Sequence, residues 1–169
     1  MLLISVVNAQ QGVYVSRNAV LSFYSQAPIE DIKAESRSAY SSLNVNTKEI
    51  YFKVEMRTFK FAKGKMQEHF NENYMESDKY PNSEFKGKIN EDVDLSKDGD
   101  YPVTVQGDLT IHNVTKNYTT KGMLKVTSGK IKGDATFKVK LADHQIQIPT
   151  LVIKNIAEIV DVTVSVSYD

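Results

Sequence analysis

Apolar and polar residues alternate with a period of two along most of the chain. Ile50, Phe52, Val54 and Met56 interleave with Tyr51, Lys53, Glu55 and Arg57. Val103, Val105, Leu109 and Ile111 share one parity; Thr104, Gln106, Asp108 and Thr110 share the other. Tyr118, Leu124 and Val126 continue the pattern. Ile131, Ala135, Phe137, Val139 and Leu141 alternate with Lys130, Lys132, Asp134, Lys138 and Lys140, and Val160, Val162, Val164 and Val166 with Asp161, Thr163, Ser165 and Ser167. Successive side chains of a strand point to opposite faces, so each run predicts a strand with one apolar and one wet face.

Punctuation between the runs fits this reading. Lys97-Asp98-Gly99-Asp100 and Thr127-Ser128-Gly129-Lys130 predict hairpin turns, glycine tolerating a positive φ. Gly107, Gly122 and Gly133 lie inside strand patterns, where glycine marks a bulge or a bend at which a sheet coils on itself. One segment breaks the period: from Gly64 to Met75, Met66, Phe70 and Tyr74 recur every four residues, predicting a short amphipathic helix. So short a helix must pack on the sheet, and Pro81 prevents its continuation. Strands with no strand–helix–strand alternation predict an all-β fold, an antiparallel barrel or sandwich with one helix.

Composition narrows the chemistry. The chain has 169 residues, enough for one domain with a real core, and its 41% apolar content is too high for a disordered chain. Lysines and arginines (21) balance aspartates and glutamates (21), so nothing in the net charge favours a nucleic-acid partner. With no cysteine, disulfides, thiolate zinc sites, iron–sulfur clusters and cysteine nucleophiles are excluded. Met1 to Val7 reads M-L-L-I-S-V-V and is followed by Asn8-Ala9, which resembles the end of a secretory signal peptide cleaved after Ala9. Residues 1–9 are then a leader remnant and 10–169 the domain, in a periplasmic or secreted protein. The run is too short to span a bilayer and no other segment approaches that length, so no stable membrane insertion is expected.

Two motifs are more specific. Lys65-Met66-Gln67-Glu68-His69-Phe70, then Glu76-Ser77-Asp78-Lys79-Tyr80-Pro81 and Phe85, resembles the central motif of the YceI-like family. Gly107-Asp108-Leu109-Thr110-Ile111-His112-Asn113-Val114-Thr115-Lys116 resembles its second motif, with Asn113 where glycine is usual. The resemblance covers roughly Gly64 to the C-terminus. The early stretch Arg17-Asn18-Ala19-Val20-Leu21-Ser22-Phe23 departs from it, with no histidine before His69, and reads as a divergent branch. What the resemblance implies is an extended, lipocalin-like antiparallel β-barrel of about eight strands. It further implies a periplasmic or secreted protein whose barrel holds a long apolar molecule, such as a polyisoprenoid, a quinone tail or a fatty-acid derivative.

An isoprenoid chain has no polar group, so its tunnel needs only apolar side chains and shape. The inward parity nominates Phe52, Val54, Met56, Leu109, Ile111, Leu124, Val126, Phe137, Val139, Val162 and Val164 as its wall. Met66, Phe70 and Tyr74 of the helix, with Phe85, are added, and His69 is placed to touch a head group. The same alternation equally describes a filled barrel whose surface binds a partner. A hydrolase or isomerase with a buried pocket is a third reading, without an assembled acid, base or nucleophile to support it. There is no G-x-S-x-G, P-loop or G-x-G-x-x-G motif. His69, His112 and His144 lie at no metal-ligand spacing, so neither metal nor cofactor is called for; His112 reads as shaping the turn after its strand. A homodimer is compatible with the sequence.

Overall fold

A computed structural model describes residues 12–26, 31–147 and 158–168; the leader-like segment 1–9 lies outside them. The strands are β1 (Val13–Ser25), β2 (Ile32–Asn44), β3 (Glu49–Glu55), β4 (Lys60–Phe61), β5 (Asn82–Ile89), β6 (Gly99–Ile111), β7 (Val114–Thr127), β8 (Lys130–Lys140) and β9 (Ile159–Tyr168). All pairings are antiparallel. The order β1-β9-β8-β7-β6-β5-β3-β2 closes on itself through β1 and β2, giving an eight-stranded barrel, and β4 pairs with the start of β2. The predicted parities hold: Ile50, Val54, Val103, Leu109, Leu124, Val126, Ile131, Val139, Val160 and Val166 all point into the barrel and are buried.

β1 and β2 were invisible to the period-two reading, and two bulges explain why. Ser16 pairs with Ser41 and Ala19 with Ala39, so β1 spends one extra residue; Ala19 to Leu21 then faces Ala39 to Ser36, so β2 spends one extra in turn. Each bulge flips the inward parity, from Ser16 to Ala19 on β1 and from Ser36 to Ala39 on β2. The inward residues are also small or polar. Ser36 and Ser41 are fully buried, bonded to the hydroxyls of Thr58 and Tyr168, both at 2.6 Å.

Of the two readings of the in-strand glycines, bulge or bend, the bulge does not hold. The ladders β5–β6 and β6–β7 pass through Gly107 without a register shift, and β7–β8 runs unbroken from Gly122. Gly107 faces Gly87 across the ladder, where a Cβ would strike the Lys86 carbonyl and the Gly87 Cα. The two glycines are there because the strands approach too closely for a side chain.

Of the expected turns, Ser128-Gly129 closes the β7–β8 hairpin with both residues at positive φ, 51° and 79°. Lys97–Asp100 is not a hairpin turn: β5 and β6 are joined by residues 90–98, and β6 begins at Gly99. That loop carries buried Leu95 into the barrel end, and Lys48 Nζ ties it down by donating to the carbonyls of Val93 (2.6 Å) and Val45 (2.8 Å). A tight turn would leave this end of the barrel open. The β6–β7 hairpin instead turns on His112 and Asn113, both left-handed at 54° and 59°.

The helix forms where predicted but changes pitch. α1 (Gly64–His69) runs into a π-helical turn, Phe70–Tyr74, in which the Met75 N–H reaches the Phe70 carbonyl at 2.9 Å. Asn71 holds the transition: its Nδ2 donates to the Gln67 carbonyl (3.1 Å), and its Oδ1 accepts from buried Ser77 (2.7 Å).

Candidate functional site

The two barrel ends differ. At one, Leu43, Ile89, Ile131, Val126, Leu95 and Tyr168 are nearly or completely inaccessible and pack together. At the other, the interior widens into an apolar cavity of about 250 Å³, covered on one side by the helical segment. The barrel is therefore not packed solid by its own side chains. The residues facing the space show it: Phe52, Phe85, Val105, Phe137, Val162 and Val164 point inward yet are only half-buried.

Of the residues nominated from sequence, Phe52, Val54, Met56, Met66, Phe70, Tyr74, Phe85, Leu109, Ile111, Leu124, Phe137, Val139, Val162 and Val164 all border this cavity. Val126 does not. It pairs with Ile131 and Gly99 in the last rungs of β7 and is buried in the closed end, beneath the cavity floor. His69 is exposed on α1 and does not border the cavity, because α1 turns Met66 and Phe70 inward and that places His69 outward.

Sequence reasoning missed the aromatic cluster beneath the helix. Phe23 of β1 stacks on Phe70 at 5.4 Å; Phe59 lies 5.4 Å from Phe23, and Phe61 of β4 lies 5.0 Å from Phe70. All four border the cavity. The alternation Phe59-Lys60-Phe61 was the available signal, too short to register as a strand.

It also missed the polar cluster beside the open end. His144 is fully buried in a 3₁₀ turn, Leu141–His144. Its Nδ1 donates to the Val114 carbonyl (2.9 Å), which leaves Nε2 to accept from the Tyr118 hydroxyl (2.8 Å). Burial pushes the Tyr118 phenol up from its ordinary value, so it stays a neutral donor. His112, in the β6–β7 turn as expected, also packs edge-on against Tyr80 (4.7 Å) and bridges the Glu76 carboxylate (2.6 Å) and the His144 carbonyl (3.3 Å). Glu76 directly follows the helical segment and its cap Met75, so this contact ties the segment to the β6–β7 hairpin. Among the described residues, no three His, Asp or Glu side chains converge on a metal position.

Two polar groups beside the cavity have partners of their own. Tyr118 faces His144, and Ser83 Oγ faces the Met56 sulfur at 3.1 Å. What remains facing the space is almost wholly carbon. Such a surface favours apolar groups over water.

Known proteins agree with this architecture. A polyisoprenoid-binding domain from Saccharophagus degradans, implicated in plant cell wall breakdown, superposes with a TM-score of 0.79 at 16% identity, over 94% of this chain and 98% of its own. BcnA of Burkholderia cenocepacia gives 0.75 at 12% identity, over 89% and 96%. The Campylobacter jejuni YceI protein gives 0.65 at 16%, over 84% and 86%. Among curated protein sequences none matches the chain. The model of the YceI-like domain matches residues 15–168, and so includes the N-terminal stretch that reads as divergent in sequence. With that match running from the first bulged strand to the last, the chain belongs to the YceI-like family.

Proposed function

We propose that the barrel binds and carries a long apolar molecule, with a polyisoprenoid, a quinone tail or a fatty-acid derivative as the class, and that it acts by binding rather than by catalysis. One observation carries this reading: the cavity presents almost no polar atom. Each methylene moved from water into such a space contributes about 0.8 kcal/mol, and a chain without polar groups leaves none unpaired inside. The polyisoprenoid-binding domain of similar fold supports the same class of occupant.

The test is organic extraction of the purified protein followed by mass spectrometry. A stoichiometric long-chain lipid is the expected result; an empty barrel that takes up no added polyprenol would sink the reading. We propose also that the protein is exported and that its mature chain starts near Gln10, on the strength of the apolar run ending at Ala9. N-terminal sequencing of protein recovered from fractionated cells tests this, and an intact Met1 in the cytosol would refute it.

A further inference from the structure

The ladder between β7 and β8 is short for its strands. Its rungs run from Thr127–Lys130 to Gly122–Ala135 and there stop. Beyond them β7 continues to Val114, paired only with β6, and β8 continues to Lys140, paired only with β9. Two strand edges thus face one another with no rung between them among the described residues.

Side chains occupy this seam. Tyr118 of β7 meets Phe137 of β8 ring to ring at 5.9 Å. Past them, towards the open end, His144 stands in for the missing strand by donating to the Val114 carbonyl and accepting from Tyr118. Tyr118, Thr120 and Phe137 border the cavity, and all three point inward yet are half-buried. From Tyr118 to the last rung at Gly122 the seam is about 13 Å long at roughly 3.3 Å per residue, against a contact diameter of roughly 4 Å for a methylene chain.

We propose that this seam is the entry route of the cavity. A hydrocarbon chain passes sideways between β7 and β8, with Tyr118 and Phe137 as the gate and the Tyr118–His144 hydrogen bond as its latch. Opening here, by swinging Tyr118 aside, parts its ring contacts with Phe137 and His144 and the one Tyr118–His144 hydrogen bond. Opening between β6 and β7 would break a ladder that runs from Gly99–Val126 to Ile111–Val114. The proposal rests on the carrier reading and adds the path by which the occupant arrives.

The absence of cysteine makes the seam testable from outside. Thr119→Cys with Lys138→Cys places one thiol on each edge at exposed, outward positions that do not border the cavity. A short bismaleimide then bridges them. The probe is the hydrocarbon fluorophore diphenylhexatriene, transferred from phosphatidylcholine vesicles. The bridged protein is expected to load roughly tenfold more slowly than the unbridged double variant, with the same final occupancy. Tyr118→Phe, which removes the latch and keeps the ring, is expected to load roughly threefold faster than the unaltered protein. Equal rates with and without the bridge overturn the seam and leave the carrier reading intact. A protein that never loads, in any form, overturns both.

Discussion

The hydroxyls of Ser41 and Tyr168 lie 2.6 Å apart, both buried, and join β2 to β9, two strands that are not neighbours in the sheet. The bond crosses the closed end of the barrel. Burial pushes the Tyr168 phenol up to about 12, and the Ser41 hydrogen bond offsets this in part. The unfolded phenol titrates near 10, so above that pH the unfolded chain loses a proton that the native barrel keeps. Stability is therefore full below pH 10 and falls as pH rises towards 12, by about 3 kcal/mol in all. Tyr168→Phe is expected to flatten this alkaline loss in denaturant titrations, and to cost about 1–3 kcal/mol at neutral pH by leaving Ser41 unpaired. An unchanged alkaline slope would contradict the assignment.

The Gly87–Gly107 contact sets a second expectation. Gly107→Ala puts a methyl into the backbone of β5, and strands locked in register on both sides cannot yield. A loss of about 3 kcal/mol or failure to fold is expected, at or beyond the upper end of overpacking costs. Gly64→Ala, whose Cβ meets nothing within 4 Å and whose residue opens α1, should be neutral or stabilising by up to about 1 kcal/mol. Comparable effects at the two sites in thermal unfolding would show that the close approach is not the cause.

Asn71 should matter more than its place on a short helical segment implies. Asn71→Ala strands buried Ser77 and frees the Gln67 carbonyl, for a loss of about 1–3 kcal/mol. The segment covering the cavity should then open locally, and limited proteolysis should cut within residues 63–80 first. Cleavage elsewhere, with that segment intact, would argue against its role as cover.

Depth of the cavity is set by small residues. Gly122, Gly133 and Ala135 border it where larger neighbours would fill it. Ala135→Leu adds volume without charge, so the barrel should keep its fold while losing affinity for the longest chains in a series of polyprenols. Affinity unchanged with length in competition assays would place the floor elsewhere.

Five strands and the helix were legible because their inner face is apolar and their outer face charged. The family was legible in two motifs around the helix and the β6–β7 hairpin. Alternation names which side chains point inward, and that by itself determined ten of the residues now seen on the cavity wall. It could not show that the barrel is hollow, since the same pattern serves a filled one. That was decided by how far apart closure holds the strands, and by Leu95 and Tyr168 plugging only one end. Nor could it show β1 and β2, where bulges shift the parity and buried serines replace apolar residues, Ser36 and Ser41 pairing with hydroxyls distant in the chain. The pairing of His144 with Tyr118 was equally hidden, because it joins a 3₁₀ turn to a strand 26 residues away in the chain, and only the barrel brings the two together.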